Sequence, residues 1–200
     1  MILWSDEATF NLNGTICTRN KVTYAYQNPH IVIQKKLKSP SLCVWAAVFS
    51  GGIIGPYFFN STVNQENYLD MLGDYLLPEM HSKGLLPGVF FQQDGAPPHW
   101  GRSVRDWLDE TFPGTWIGRG GPIPWPPRSP DLTPPDFYLW GYLKSKVYAR
   151  TPETIPQLKK IIEEEMRAIP LEQIQRSCRA VHRRLHKCIK AGGGHIFKWD

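Results

Sequence analysis

The spacing of hydrophobic residues predicts three strands in the first third of the chain. Residues 1–10 are mostly apolar, residues 42–49 form an unbroken apolar run, and residues 53–59 form another after a Ser-Gly-Gly turn. Because the connection between the last two runs is so short, we expect the three strands to pair as an antiparallel meander. Pro56 cannot donate a ladder hydrogen bond, so the third strand is expected at a sheet edge or beside a bulge.

The pattern then changes to helical spacing, interrupted by one more strand. Asn64 is suited to cap a helix that runs to about Pro78. Residues 88–91 predict a short buried strand that delivers Asp94 to a turn of one glycine and two prolines. An amphipathic helix and a short strand at residues 115–117 are expected to follow. The chain therefore alternates strands with helices, which predicts an α/β fold.

Residues 118–135 consist largely of Gly, Pro and Trp, and no helix can run through them. Ile123, Trp125 and Leu132 are apolar enough to require burial, so we expect an ordered, rigid loop. Asp136 ends this loop and opens a helix.

The last 50 residues are predicted to be helical. The first of two helices is expected to open at Thr151-Pro152-Glu153, and the second to cover about residues 171–189 with a basic face. Gly192 to Gly194 should end it. No internal repeat or domain boundary is apparent, so we predict a single domain over residues 1–200.

Composition narrows the class of protein. The chain has 200 residues with 42% hydrophobic and 20% charged side chains, which suits a globular domain with a substantial core. No apolar stretch could span a bilayer, and the start does not resemble a signal peptide, so we expect an intracellular protein without a membrane partner. The four cysteines form no metal-binding motif and are expected to be free thiols. A net charge of +5 mildly favours a polyanionic partner.

Three acids carry the candidate chemistry. Asp94 alone would be an ordinary turn residue. A sheet with Asp6 on a central strand, Asp94 on its neighbour and Asp136 on a covering helix would bring three carboxylates together, however. Such carboxylates repel each other strongly unless cations lie between them, and two divalent ions roughly 4 Å apart would neutralise them and hold a phosphodiester. Glu7 is a weaker candidate, since its side chain should point to the opposite face of the strand from Asp6.

Three local sequence motifs around these acids resemble those of a known protein family. They are Trp4-Ser5-Asp6-Glu7-Ala8-Thr9-Phe10, Gln93-Asp94-Gly95-Ala96-Pro97-Pro98-His99, and WPPRSPDLTPPD over residues 125–136. In order and placement they resemble the Tc1/mariner superfamily of transposases, and the resemblance covers essentially the whole chain. It implies an RNase H-like fold, in which a mixed central sheet is flanked by helices, with further helices at the C-terminus.

The resemblance also implies the site residues. The family's catalytic and metal-binding acids fall on Asp6, Asp94 and Asp136, which would hold two Mg²⁺ or Mn²⁺ ions. Asp131 falls on an acid that is structural in the family. The 41 residues between Asp94 and Asp136 exceed the separation in the commonest family members, and the surplus fits in residues 118–124.

Three further residues are candidate nucleic-acid contacts. His99 could touch the substrate or order the turn that follows Asp94, and Trp125 and Arg128 could contact DNA. For Trp125, packing is the alternative, and the basic face of the last helix could equally be an ordinary solvated surface.

The activity implied is cut-and-paste DNA transposition in the nucleus, with transposon ends and target DNA as partners and no small-molecule substrate. Water would hydrolyse a phosphodiester at the transposon end, and the freed 3′-hydroxyl would attack target DNA. Family members also carry an N-terminal helix-turn-helix region, which we do not find before Asp6. The excursion at residues 15–40 occupies a position that can reach a partner subunit in the family, so a homodimer is plausible.

Two alternatives remain. The chain could be a degenerate or host-adopted remnant that binds nucleic acid or protein without catalysis, or another RNase H-like nuclease. The complete set of three acids favours an active enzyme over the remnant. The proline-rich motif argues against the other nucleases.

Overall fold

The computed structural model describes residues 1–12, 14 and 39–194. Its strands are β1 (Ile2–Asn11), β2 (Ser41–Phe49), β3 (Gly52–Phe59), β4 (Phe90–Gln92), β5 (Trp116–Gly118) and β6 (Ile123–Pro124). Its α-helices are α1 (Gln65–Asp70), α2 (Leu77–Ser82), α3 (Arg102–Thr111), α4 (Trp140–Ala149), α5 (Ile155–Arg167) and α6 (Leu171–Lys190). A π-helical segment, Met71–Leu76, joins α1 to α2, and another, Pro135–Leu139, leads into α4.

The strands form one mixed sheet in the order β3-β2-β1-β4-β5-β6. The predicted meander is confirmed, because β1 pairs antiparallel with β2, and β2 with β3. Strand β3, which contains Pro56, lies at the sheet edge, and the β2–β3 register shifts between Trp45 and Ala47. The proline therefore stands where a missing ladder hydrogen bond is tolerated.

The other half of the sheet is parallel. Strand β4 lies beside β1, β5 beside β4, and β6 beside β5, each pair running in the same direction. The two-residue strand β6 was not predicted, because it lies inside the stretch expected to be loop. It pairs Ile117 with Ile123, so part of the surplus chain between the second and third acids extends the sheet.

Helices cover both faces of the sheet, as expected from the resemblance to proteins with an RNase H-like fold. One face packs against the α1–α2 helix and α3, with Tyr68, Leu72 and Val104 in its core. The other packs against α4, α5 and α6, with Leu143, Ile162 and Ile174 among its members. Side chains of β1 and β2 alternate between the two cores: Leu3 and Trp45 join the first, and Phe10 and Val44 join the second.

Helix boundaries agree with the predictions in one case and differ in another. Asn64 caps α1, and its side chain and that of Asn67 each accept from the other's backbone N–H. The prediction for α5 was wrong by one turn: Thr154 is the N-cap, and Pro156 rather than Pro152 lies in the first turn. Thr154 offers the same hydroxyl acceptor as Thr151, and the sequence pattern did not distinguish them.

The proline-rich loop is ordered, but its burial is uneven. Leu132 is buried as expected, Trp125 is half-buried, and Ile123 is 37% exposed, which contradicts the expectation that all three need burial. Ile123 is exposed because it lies on the edge strand β6, where no further element covers it.

Some predictions fall outside the described residues. The basic excursion and its dimer contact, residues 15–40, lie almost entirely outside the described ranges. Among the described cysteines, Cys43, Cys178 and Cys188 are free thiols. Within the same ranges, the helices are too short or too polar to cross a membrane.

Candidate active site

The three predicted acids line one cavity of about 320 Å³ at the end of the central strands. Asp6 lies on β1, Asp94 lies just beyond the end of β4, and Asp136 lies in the π-helical segment that precedes α4. Trp4 and Gln92 are register partners on the two parallel strands. Because side chains alternate along a strand, Asp6 and Gln92 lie on the face that α4 covers.

Asp6 is held by the helix above it. The indole Nε1 of Trp140 on α4 donates to Asp6 Oδ2 at 2.7 Å. Burial raises the pKa of Asp6 well above its usual value, and the negative charges of Asp136 and Glu7 raise it further, against the lowering effect of the Trp140 bond. Ionised Asp6 is therefore destabilised in the folded protein without a cation nearby.

Asp136 has a similar environment. The Thr133 hydroxyl, three residues earlier, donates to Asp136 Oδ2 and anchors the carboxylate to the end of the proline-rich loop. Burial raises the pKa of Asp136; the Thr133 bond lowers it, and the charges of Asp94 and Glu7 raise it again. Neighbouring negative charge therefore disfavours ionisation of Asp136, as it does for Asp6.

Asp94 differs, since it has a cationic partner. Its Oδ1 accepts from the backbone N–H of Ala96 at 3.0 Å and lies 2.7 Å from Nδ1 of His99. Partial burial would raise the pKa of Asp94, but contact with His99 and the charge of that ring outweigh it and leave the pKa below its usual value. Asp94 thus stays ionised when the other two acids resist ionisation.

His99 lies under the Asp94 turn and is only 3% exposed. Its Nε2 is 3.3 Å from Glu7 Oε1, and its ring packs on Tyr68 with centroids 4.2 Å apart. Burial would lower the pKa of His99, but the carboxylates of Glu7 and Asp94 raise it to about 10. A protonated imidazole therefore joins two carboxylates from beneath the cavity. Of the two roles considered for His99, this arrangement supports ordering the turn, because both ring nitrogens face protein carboxylates and His99 is not part of the cavity wall.

The remaining predicted contacts lie on the cavity wall. Trp125 and Arg128 both line it, and the ring of Trp125 packs edge-on against Trp4 with centroids 5.7 Å apart. Trp125 therefore has a packing role as well as an accessible edge. Arg128 is exposed and has a φ of 58°, an uncommon conformation for a residue other than glycine.

Asp131 does not line the cavity, although its negative charge also raises the pKa of Asp136. It lies in a short 3₁₀ turn, Pro130–Leu132, and is not among the residues that line the cavity. Its backbone carbonyl accepts from Arg184 of α6 at 3.0 Å, and the same guanidinium lies 3.8 Å above the Phe137 ring. The loop acid thus lies where α6 meets the segment that carries Asp136.

The donor set is suited to a hard divalent cation. All three acids offer carboxylate oxygens, which Mg²⁺ and Mn²⁺ prefer, and their repulsion is of the kind that a cation relieves. In the described ranges, however, no three His, Cys, Asp or Glu side chains are grouped closely enough to hold one ion as they stand. The chemistry fits such an ion, and side-chain movement is needed to complete its ligands.

Several supporting residues escaped the sequence analysis. Trp140 was not expected at the site, because nothing in the local sequence marks its contact with Asp6. Thr133 could have been found from the sequence, because Thr-x-x-Asp spacing is typical of a capping box, in which the two side chains lie close together at a helix start. Glu7 was correctly expected to face away from Asp6, but its contact with His99 was missed.

Comparisons with known proteins give this geometry a context. The chain is 28% identical over 197 residues to the Tc3 transposase of Caenorhabditis elegans. This alignment covers 98% of this chain and 57% of the Tc3 protein. It is 25% identical over 194 residues to the Tc1 transposase of the same organism. The match to the Mos1 transposase of Drosophila mauritiana is 30% over 108 residues and covers 54% of this chain and 29% of that protein. No family model matches the chain.

Solved structures agree with the sequence matches. The catalytic domain of Mos1 transposase, solved with raltegravir and Mg, superposes with a TM-score of 0.73 at 22% identity over 98% of this chain and 85% of that one. A Mos1 paired-end complex with the left transposon end gives a TM-score of 0.74 at 22% identity and covers 98% of this chain and 56% of that one. These likenesses establish the fold. This chain, which spans just over half of the Tc3 protein, is a homologue of the Tc1/mariner transposases with the RNase H-like fold of the Mos1 catalytic domain.

Proposed function

We propose that this chain is a metal-dependent DNA transposase catalytic domain that cuts phosphodiesters at transposon ends and joins the 3′-hydroxyl ends to target DNA. The observation that carries the proposal is the shared cavity of Asp6, Asp94 and Asp136. Homology to transposases and the DNA-bound state of the Mos1 paired-end complex support the choice of DNA as substrate.

Two Mg²⁺ or Mn²⁺ ions, bound by Asp6, Asp94 and Asp136, would supply Lewis-acid stabilisation of the attacked phosphate. The protein's own contribution is positioning. Trp140 and Thr133 fix one oxygen each of Asp6 and Asp136, and His99 fixes Asp94 from below. Arg128, exposed on the cavity wall, would attract the phosphate backbone, and the accessible edge of Trp125 would offer an apolar contact on the same wall. Because the proposed substrate is DNA, we also propose that the protein acts in the nucleus.

A non-catalytic remnant remains the second candidate. The grouping of supporting residues around the acids favours an enzyme, because a protein that only bound DNA would have no need to keep repelling carboxylates together. The observation that favours a remnant is that no three potential metal ligands are grouped closely in the described ranges.

A cleavage assay on a supercoiled plasmid or a short duplex in Mg²⁺ or Mn²⁺ distinguishes an active enzyme from a non-catalytic remnant. We expect nicking by the wild type, and a loss of at least about 100-fold in Asp6→Asn, Asp94→Asn and Asp136→Asn. Asp106→Asn, an exposed acid on α3, is the matched control and should cut at the wild-type rate. A wild type that binds DNA but shows no metal-dependent cutting above Asp94→Asn would support the remnant.

A further inference from the structure

Gln92 is a buried amide for which the fold supplies no partner. It is 0% exposed, and neither Nε2 nor Oε1 makes a hydrogen bond to any described residue. Burying an amide without hydrogen bonds is costly, and native proteins seldom keep one without a reason.

The neighbouring glutamine shows that the fold can satisfy an amide here. Gln93 is also buried, but its Oε1 accepts from the Tyr68 hydroxyl at 3.0 Å and its Nε2 donates to the His99 carbonyl at 3.2 Å. Gln93 faces the α1 side of the sheet, whereas Gln92 faces the cavity side. The unpaired amide is therefore the one on the side where a ligand can bind.

Gln92 belongs to the wall of the acid-lined cavity, together with Asp6 and Asp94. It ends β4 two residues before Asp94, and its register partner Trp4 precedes Asp6 by two residues on β1. Gln92 is thus the last residue of β4, which leads to Asp94, and it lies beside β1, which carries Asp6, in a region of high negative charge. A carboxamide adds no charge there, and it can both donate and accept.

We propose that Gln92 is a substrate-binding residue of this site: its Nε2–H donates to a non-bridging oxygen of the phosphodiester, and its Oε1 accepts from the attacking hydroxyl. The inference rests on the proposed function. A neutral amide can orient the oxygen nucleophile in phosphoryl transfer, and a donor aimed at a phosphate oxygen stabilises charge that develops there. The amide is left unpaired in the free protein because its partners arrive with the substrate.

The test compares Gln92→Met with Gln93→Met, since methionine has nearly the volume of glutamine but cannot form these hydrogen bonds. Gln92→Met should keep or raise Tm, because it removes an unpaired amide, whereas Gln93→Met should lower Tm. Gln92→Met should also bind Mn²⁺ like the wild type, yet cut DNA at least about 10-fold more slowly, by analogy with the loss of an oxyanion donor.

A second readout does not depend on catalysis. The side-chain NH₂ signal of Gln92, identified by its loss in Gln92→Met, should shift when a short DNA duplex is added with Ca²⁺ in place of Mg²⁺. The NH₂ signal of Gln93 should stay in place.

The outcomes separate this inference from the proposed function. A wild type that neither cuts nor binds DNA overturns both. Unchanged cutting by Gln92→Met, or an unmoved Gln92 signal with DNA bound, overturns the role of Gln92 alone. A fall in Tm as large as that of Gln93→Met would show that Gln92 is a structural amide satisfied by buried water, which also overturns it.

Discussion

At the scale of single residues, the site combines acids that resist ionisation with one that is held ionised. The pKa of Asp6 and Asp136 is raised by burial and by neighbouring negative charge, whereas the pKa of Asp94 is lowered by its contact with His99. The ionised Asp94 can therefore attract a cation, and the charge of that cation then favours ionisation of Asp6 and Asp136.

Asp6→Asn should stabilise the protein in the absence of divalent ions. The raised pKa means that the folded state favours protonated Asp6. The resulting contribution to the free energy of unfolding is present below the unfolded pKa near 3.8 and is lost as pH rises through the folded pKa. Ionised Asp6 therefore lowers stability at pH 7. Asparagine stays neutral and can still accept from Trp140. We expect a rise in Tm of about 2–4 °C or more, the change that 1 kcal/mol produces at this size. Asp106→Asn is the control, and a lower Tm for Asp6→Asn would contradict the expectation.

The His99 ring should stay protonated well above neutral pH. Its raised pKa makes a stabilising contribution that is present below the unfolded value near 6.5 and is lost as pH rises through about 10. The contribution of Asp94 has the opposite sense, being present above 3.8 and lost as pH falls. An NMR titration of the imidazole signals would measure the His99 pKa directly. Glu7→Gln should lower that pKa, and a His99 that titrates near 6.5 in the wild type would show that the bridge is absent.

At the scale of elements, the C-terminal helix supports the third acid. Arg184 of α6 donates to the Asp131 carbonyl and stacks on Phe137, the residue after Asp136. The π-helical segment that carries Asp136 is therefore held between α4, which continues it, and α6, which packs against it.

Arg184→Met should weaken this support. The loss of a charged hydrogen bond and a cation–π contact is expected to cost about 1–3 kcal/mol of stability. Mn²⁺ affinity should fall as well, because Asp136 is less well positioned. Calorimetry and metal titration of Arg184→Met beside Arg183→Met, its exposed neighbour, would measure both effects. Equal behaviour of the two variants would show that α6 does not position the site.

Elements of the sheet were largely predictable, and their supporting contacts were not. Apolar runs predicted β1, β2 and β3, and the Ser-Gly-Gly turn predicted the meander, because a continuous apolar run and a short turn are both visible in the local sequence. Strand β6 was missed since two residues carry no period. The contacts of Trp140, Glu7 and Gln92 join residues far apart in sequence, and no local pattern encodes them. The positions of the acids were predicted from motif resemblance, and their catalytic roles stay predictions.

At the scale of the whole molecule, a chain of net charge +5 surrounds a negative cavity. Much of the positive charge lies on α6, where Arg176, Arg179, Arg183 and Lys187 follow one another at helical spacing. Surface charge of this kind attracts the DNA backbone without reading sequence, while cations are needed to bring phosphates to the acids.

DNA binding by this chain should be weak, non-specific and sensitive to salt. The affinity for an arbitrary duplex is expected to fall steeply between about 50 and 200 mM salt, as phosphate contacts release counterions. The double variant Arg179→Gln and Arg183→Gln should reduce the slope of log K against log salt by about two if both contact phosphates. Fluorescence anisotropy would measure this slope. Tight, sequence-specific binding to an inverted repeat at physiological salt would contradict the expectation.

The most direct measurement is a calorimetric titration of the protein with Mn²⁺, beside Asp94→Ala and Asp131→Asn. His182 and His186 on α6 have ring nitrogens 3.3 Å apart and could bind Mn²⁺ themselves, so the titration is made on a His182→Gln background. We predict binding at millimolar Mn²⁺ or below, its loss in Asp94→Ala, and its retention in Asp131→Asn. No binding by the parent protein, or equal binding by Asp94→Ala, would contradict a metal site built on Asp6, Asp94 and Asp136.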